Sequence, residues 1–91
     1  MKTVLITGAN RGIGLKFVEY YCQHNWQVYA TYRDEHHALL DRTTQYENLT
    51  LLKVDVSDLA SVAKLQHSMT GITLNLLINN AGTYGPSGHS F

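Results

Sequence analysis

Three glycines fall within Thr7-Gly8-Ala9-Asn10-Arg11-Gly12-Ile13-Gly14, directly after a short apolar, β-branched run. Glycines at this spacing suit the binding of an anion. A tight turn leaving a strand needs a residue without a Cβ. A second glycine lets the backbone approach a pyrophosphate, and a third lets the following helix pack closely on the strand. The start of that helix then turns unpaired N–H groups and a positive dipole end toward phosphate. The spacing is T-G-x-x-x-G-x-G, not G-x-G-x-x-G, and an ordinary strand-to-helix turn holding three glycines is the bland alternative.

Other polar residues stand at comparable breaks in the pattern. Arg33 and Asp34 follow the apolar run ending at Tyr32, Asp55 and Val56 follow Leu49 to Val54, and Asn79-Asn80-Ala81-Gly82 follows Leu74 to Ile78. Each has a structural alternative. Asp34 can cap a helix, Asp55 can open a turn, and Arg33 can be a solvated surface residue. His36-His37 lacks the further ligands that a metal site would need at workable spacing. The single cysteine, Cys22, reads as a packing residue.

These residues have to be carried on strands and helices, and the two patterns alternate along the chain. Thr3 to Thr7 reads as a buried strand. From Ile13 the spacing turns helical, with Ile13, Phe17, Tyr20 and Tyr21 on one face. Trp26 to Tyr32 is a second strand and Asp34 to about Tyr46 a second helix. Leu49 to Val54 is a third strand. A third helix is capped by Ser57 or Asp58 and ended near Gly71. Leu74 to Ile78 is a fourth strand. Strands this apolar on both faces belong in a parallel sheet covered by helices. Right-handed crossovers leave an open α/β sheet of about four strands in the order 3-2-1-4.

The 91 residues suit one small domain, with 44% hydrophobic and 15% charged residues and a formal net charge of zero. Scattered Lys and Arg argue against a nucleic-acid or anionic-membrane partner. No apolar run is long enough to cross a bilayer. One cysteine and no signal-peptide pattern fit a cytoplasmic setting.

Taken together, the glycine run, Arg33, Asp55-Val56 and Asn79-Asn80-Ala81-Gly82 resemble the short-chain dehydrogenase/reductase family, and its carbonyl-reductase-like members in the N-N-A-G-x-Y-G-P run. The resemblance covers essentially the whole chain. It implies a partial Rossmann, doubly wound fold with an NAD(P)-binding half-domain over residues 1–82 and a flexible tail over 83–91. It also implies a cofactor site built from Gly8, Asn10, Arg11, Gly12, Ile13, Gly14, Arg33, Asp55, Val56, Asn79, Asn80, Ala81 and Gly82. Asp55 would contact the adenine, and the Asn79–Gly82 segment would brace the central strands and line the adenosine ribose. In such folds an acid at the end of the second strand selects NAD, whereas an arginine accommodates the 2′-phosphate of NADP. Tyr32 occupies the place of the selecting acid and Arg33 follows it, with Arg11 as a second cation. NADP(H) is therefore the favoured cofactor, with NAD(H) as the alternative.

The family's chemistry rests on a Tyr-x-x-x-Lys pair acting at the oxygen of a carbonyl or alcohol substrate. None of the six tyrosines is followed four positions later by lysine. The reading is therefore of a chain that ends before the catalytic half, with hydride transfer and substrate belonging to a full-length parent. Two alternatives remain: a non-catalytic nucleotide-binding or interaction module, and a non-functional remnant. Leu74, Leu76 and Ile78 are expected to lie exposed beside an open sheet edge, through which the chain can associate.

Overall fold

The computed structural model describes residues 1–9, 12–33, 37–55 and 57–79, and of positions 37 and 38 the backbone alone. Strands and helices alternate: β1 (Thr3–Thr7), α1 (Gly12–Gln23), β2 (Gln27–Tyr32), α2 (His37–Thr43), β3 (Leu49–Lys53), α3 (Leu59–Ser68) and β4 (Leu76–Asn79). The strands form a four-stranded sheet in the order β3-β2-β1-β4. Every pairing is parallel. This is the Rossmann-type arrangement expected from the alternating pattern. The tail and the expected start of the second helix at Asp34 lie outside the described residues.

Side chains alternate between the two faces of the sheet. On one face Val4, Ile6, Val28, Ala30 and Leu49 join Val18 and Cys22 of α1 and Leu39 of α2 in a single core. An ion pair between Arg42 and Glu19, and a 3.1 Å bond from Gln23 Nε2 to Tyr46 Oη, tie α1 to the segment containing α2. On the other face, Leu5 lies in register with Tyr29 on one side and Leu77 on the other. That face is more thinly covered toward its sides: Leu5 is buried, but Thr50 is exposed and Tyr29 only half-buried.

Ile13, Phe17, Tyr20 and Tyr21 do share one face of α1, lining a single surface hollow, but the buried stripe of the helix is Gly14, Val18 and Cys22. Ile13 and Tyr20 are 65% and 53% exposed, while Phe17 and Tyr21 pack only partly against the core. Apolar residues occur on two flanks of this helix, so spacing alone offers two candidate stripes. The stripe of smaller side chains lets the helix axis come closer to the sheet and is the one buried. One expectation is corrected: of Leu74, Leu76 and Ile78 only Leu74 is exposed, whereas Leu76 and Ile78 are partly buried against the core. The residue between them, Leu77, is 54% exposed, because alternation sends it to the thinly covered face.

The connections follow local rules. Asn25 adopts a left-handed φ of 63° just past α1, and Trp26 N–H bonds back to Tyr21 C=O at 3.0 Å. This is a helix-ending bond in which asparagine tolerates the left-handed backbone. Asp58, not Ser57, caps α3 by accepting from Ala60 N–H at 3.0 Å. Gly71, at φ 83°, follows soon after that helix ends.

Candidate functional site

Because the strands are all parallel, their carboxyl ends share one edge of the sheet. The expected positions Gly8, Arg33, Asp55 and Asn79 are therefore brought to that edge from segments remote in sequence. Strand order reverses direction between β1 and β4, since β3 precedes β4 in the chain but lies at the opposite side of the sheet. A crevice outside the carboxyl ends at such a switch point is where open α/β sheets receive ligands.

The chain leaves β1 at Gly8, whose φ of 60° lies in the left-handed region. Its N–H donates to Thr31 Oγ1 at 3.1 Å, and the next N–H, of Ala9, donates to Thr31 C=O at 2.9 Å. Ala9 is fully buried. Gly12, at φ 59°, opens α1; a Cβ there would meet nothing within 4 Å, so its backbone conformation, not crowding, calls for glycine. Gly14 is buried in the first turn of α1. Ile13 lies exposed in the first turn. The first-turn amides of α1 have no partners within the helix and carry the positive end of its dipole.

Asp55 sits just beyond β3. Its Oδ1 accepts both Ser57 Oγ–H at 2.6 Å and Ser57 N–H at 2.9 Å. Its N–H donates to Ser61 Oγ on α3 at 2.8 Å. The hydroxyl and the amide of Ser57, with a smaller contribution from the charge of Arg33, hold the Asp55 carboxyl below its usual pKa. Asp55 therefore does open a turn, and it stays ionised within electrostatic reach of Arg33, which is exposed at the end of β2. On the other side of Gly8, Thr7 Oγ1 donates to Asn79 Oδ1 at 2.8 Å. The expected site residues Asn10, Arg11, Val56, Asn80, Ala81 and Gly82 lie outside the described residues.

Thr31 and Ser61 escape a reading of the sequence, and Ser57 is read there only as a candidate helix cap, not as the partner of Asp55. Ser57 carries a signal, the Asp-x-Ser spacing of a side-chain-capped turn. Thr31 carries only its polarity between Ala30 and Tyr32. Elsewhere, Cys22 is free and buried, and burial pushes its thiol from the usual 9.0 up to about 11. A surface hollow of about 450 Å³ lined by Ile13, Lys16, Phe17, Tyr20 and Tyr21 draws on α1 alone, so no groups from different elements converge in it. Among the described residues no helix is long and apolar enough to cross a membrane.

The arrangement fits a dinucleotide: a left-handed glycine exit from the central strand, a helix start whose first amides have no partner within the helix, and an arginine one strand away. Comparisons with known proteins agree with this architecture. The chain is 35% identical over 85 residues to the short-chain dehydrogenase PC-15 of Penicillium crustosum, covering 89% of this chain and 31% of that protein. It superposes on a carbonyl reductase from Pseudomonas aeruginosa PAO1 with a TM-score of 0.82 and 31% identity, covering 94% of this chain and 41% of the other. It superposes on 4-hydroxyisoleucine dehydrogenase complexed with NADH with a TM-score of 0.79 and 27% identity, covering 90% and 34%. The chain spans about a third of the length of the curated relatives it matches. Residues 2–90 match the family model described as short chain dehydrogenase, and the chain belongs to that family.

Proposed function

We propose that this chain supplies the adenosine and pyrophosphate side of an NADP(H) site in an oxidoreductase that moves hydride between the cofactor and a carbonyl or alcohol carbon. The observation that carries the reading is the glycine exit at Gly8 on the central strand, flanked at the same sheet edge by Arg33 and Asn79. The NADH complex of a structural neighbour supports a nicotinamide dinucleotide as ligand. When bound, the nicotinamide ring supplies or accepts the hydride.

In this reading residues 1–82 are the nucleotide half and 83–91 a tail. The α1 amides hold the pyrophosphate, with Gly8, Gly12 and Gly14 shaping the approach and Asn10, Arg11 and Ile13 beside it. Arg33, with Arg11, meets the 2′-phosphate through a guanidinium fork. Asp55 and Val56 face the adenine, while Asn79, Asn80, Ala81 and Gly82 line the ribose. The roles assigned here concern the cofactor alone. A free, buried Cys22 suits a reducing cytoplasm.

Titration of the purified chain with NADPH and NADH tests this. NADPH is expected to bind more tightly by roughly tenfold or more, as a charge-assisted contact would give. Arg33→Ala should abolish the difference. Equal affinity for both cofactors in the unmutated chain would remove the NADP preference, and no binding by a folded chain would remove the nucleotide reading.

One observation favours a second reading, an interaction module. Leu77 is exposed on the thinly covered face of β4, which among the described residues pairs only with β1. Sedimentation across a concentration series checks it. Concentration-dependent growth that Leu77→Lys suppresses favours association through this edge; a monomer at all concentrations excludes self-association there.

A further inference from the structure

The residue that anchors the glycine turn is not a glycine. Thr31 is 4% exposed, a polar side chain in a strand whose other buried members are Val28 and Ala30. Two consecutive amides of the turn end on it: Gly8 N–H on its hydroxyl and Ala9 N–H on its carbonyl. The paired register of β1 and β2 runs from Thr3 and Gln27 to Ile6 and Ala30. The bonds to Thr31 thus carry the β1–β2 connection past the ladder, to the point where Gly8 turns the chain out of the sheet. Thr31 is also two residues before Arg33 on the same strand end. One residue therefore ties the turn leading to the pyrophosphate to the strand end that presents Arg33.

We propose that Thr31 is a positioning residue of the dinucleotide site, setting the glycine turn relative to the Arg33 end of β2. This deepens the NADP(H) reading above and rests on it. The carbonyl of Thr31 is backbone and survives any substitution, so the hydroxyl is the part that side-chain chemistry decides. Valine keeps the branched shape in the strand but leaves Gly8 N–H without the acceptor it has here. The turn can then swing relative to β2, and the cost falls on ligands whose diphosphate must meet the start of α1.

The test uses the whole chain, with ligands that separate the two ends of the site. Adenosine 5′-diphosphate engages the turn, adenosine 2′-monophosphate engages Arg33, and NADPH engages both. For Thr31→Val, NADPH and adenosine 5′-diphosphate are expected to bind roughly tenfold more weakly, the size of one lost hydrogen bond. Adenosine 2′-monophosphate should change by less than about twofold, and Thr31→Ser should bind all three like the unmutated chain. Unchanged NADPH binding by Thr31→Val overturns the proposal, and so does a parallel loss of both adenosine nucleotides, which marks general loosening. If circular dichroism shows Thr31→Val unfolded, Thr31→Ser decides: a folded Thr31→Ser that loses the diphosphate ligand shows that the methyl, not the hydroxyl, mattered and overturns the proposal. Retained binding by Thr31→Ser, with faster Gly8 amide exchange in Thr31→Ala, supports it. A folded, unmutated chain that binds no dinucleotide sinks the cofactor reading first and this proposal with it, an outcome distinct from a variant that binds normally.

Discussion

The hydroxyl of Thr7 donates to Asn79 Oδ1 at 2.8 Å, joining residues 72 positions apart at the carboxyl ends of β1 and β4. The two are also register partners in the sheet. The bond fastens the fourth strand beside the glycine turn, at the point where strand order reverses. A part-buried neutral hydrogen bond contributes about 1 kcal/mol net. Thr7→Val and Asn79→Ala should each destabilise by about that amount. Because they delete one shared bond, the double variant should lose less than the sum, with a coupling of about 0.5–1.5 kcal/mol. Urea unfolding of the four species measures it, and strict additivity would show that the bond contributes nothing.

Gly12 offers a cleaner test of backbone strain, because nothing crowds the space a side chain would occupy. Its φ of 59° alone opposes substitution. Gly12→Ala should cost about 1–2 kcal/mol, the usual penalty for a left-handed non-glycine residue. Gly12→Asn should cost less, since asparagine tolerates this region, as Asn25 does at φ 63°. Thermal unfolding of both variants checks the ranking, and an Asn variant worse than Ala would point to a clash instead.

Cys22 is expected to make stability fall at high pH. Its folded pKa of about 11 exceeds the usual 9.0, so between these values the unfolded chain loses a proton that the folded chain keeps. The unfolded state binds fewer protons there, and stability declines as pH rises through this window. A shift of this size corresponds to at most about 3 kcal/mol. Stability measured from pH 8 to 11 should decline less steeply in Cys22→Ala than in the unmutated chain. Parallel curves would assign the alkaline loss to other groups.

Asp55 acts at the opposite end of the pH scale. Its pKa is depressed in the folded state, chiefly by the Ser57 hydroxyl and amide and less by Arg33. The resulting stabilisation is present above the unfolded value and is lost as pH falls through the folded one. Carboxyl carbon shifts followed by NMR should show the Asp55 midpoint rising in Ser57→Ala. A smaller rise is expected in Arg33→Ala. A reversed order would mean that Arg33, not Ser57, dominates the environment of this carboxylate.

Much of the fold is legible in the order of residues, because the governing signals are local. The apolar run from Thr3 to Thr7 coincides with β1, and β2 begins one residue later than its pattern suggests, at Gln27. The pattern starts β4 two residues early, since Leu74 reads as strand but precedes the ladder. The strand order follows from apolar strands and right-handed crossovers, and the structure has it. Within the site, the glycine positions and Asp55 are visible by type and spacing. Thr31 is not, because its partner Gly8 lies 23 positions away, and no periodicity couples a strand hydroxyl to a distant turn amide.

What the sequence determined by itself is therefore the alternation of strand and helix, the glycine exit at Gly8 and the kinship to short chain dehydrogenases. Each is written in neighbouring residues, whose spacing sets backbone geometry. Tertiary structure alone decided which stripe of α1 is buried, which of Leu76, Leu77 and Ile78 faces out, and that Thr31 receives both turn amides. These depend on how closely a helix can approach a sheet and on which strands lie side by side. Packing distance and cross-strand register are properties of the assembled core, which no local pattern encodes.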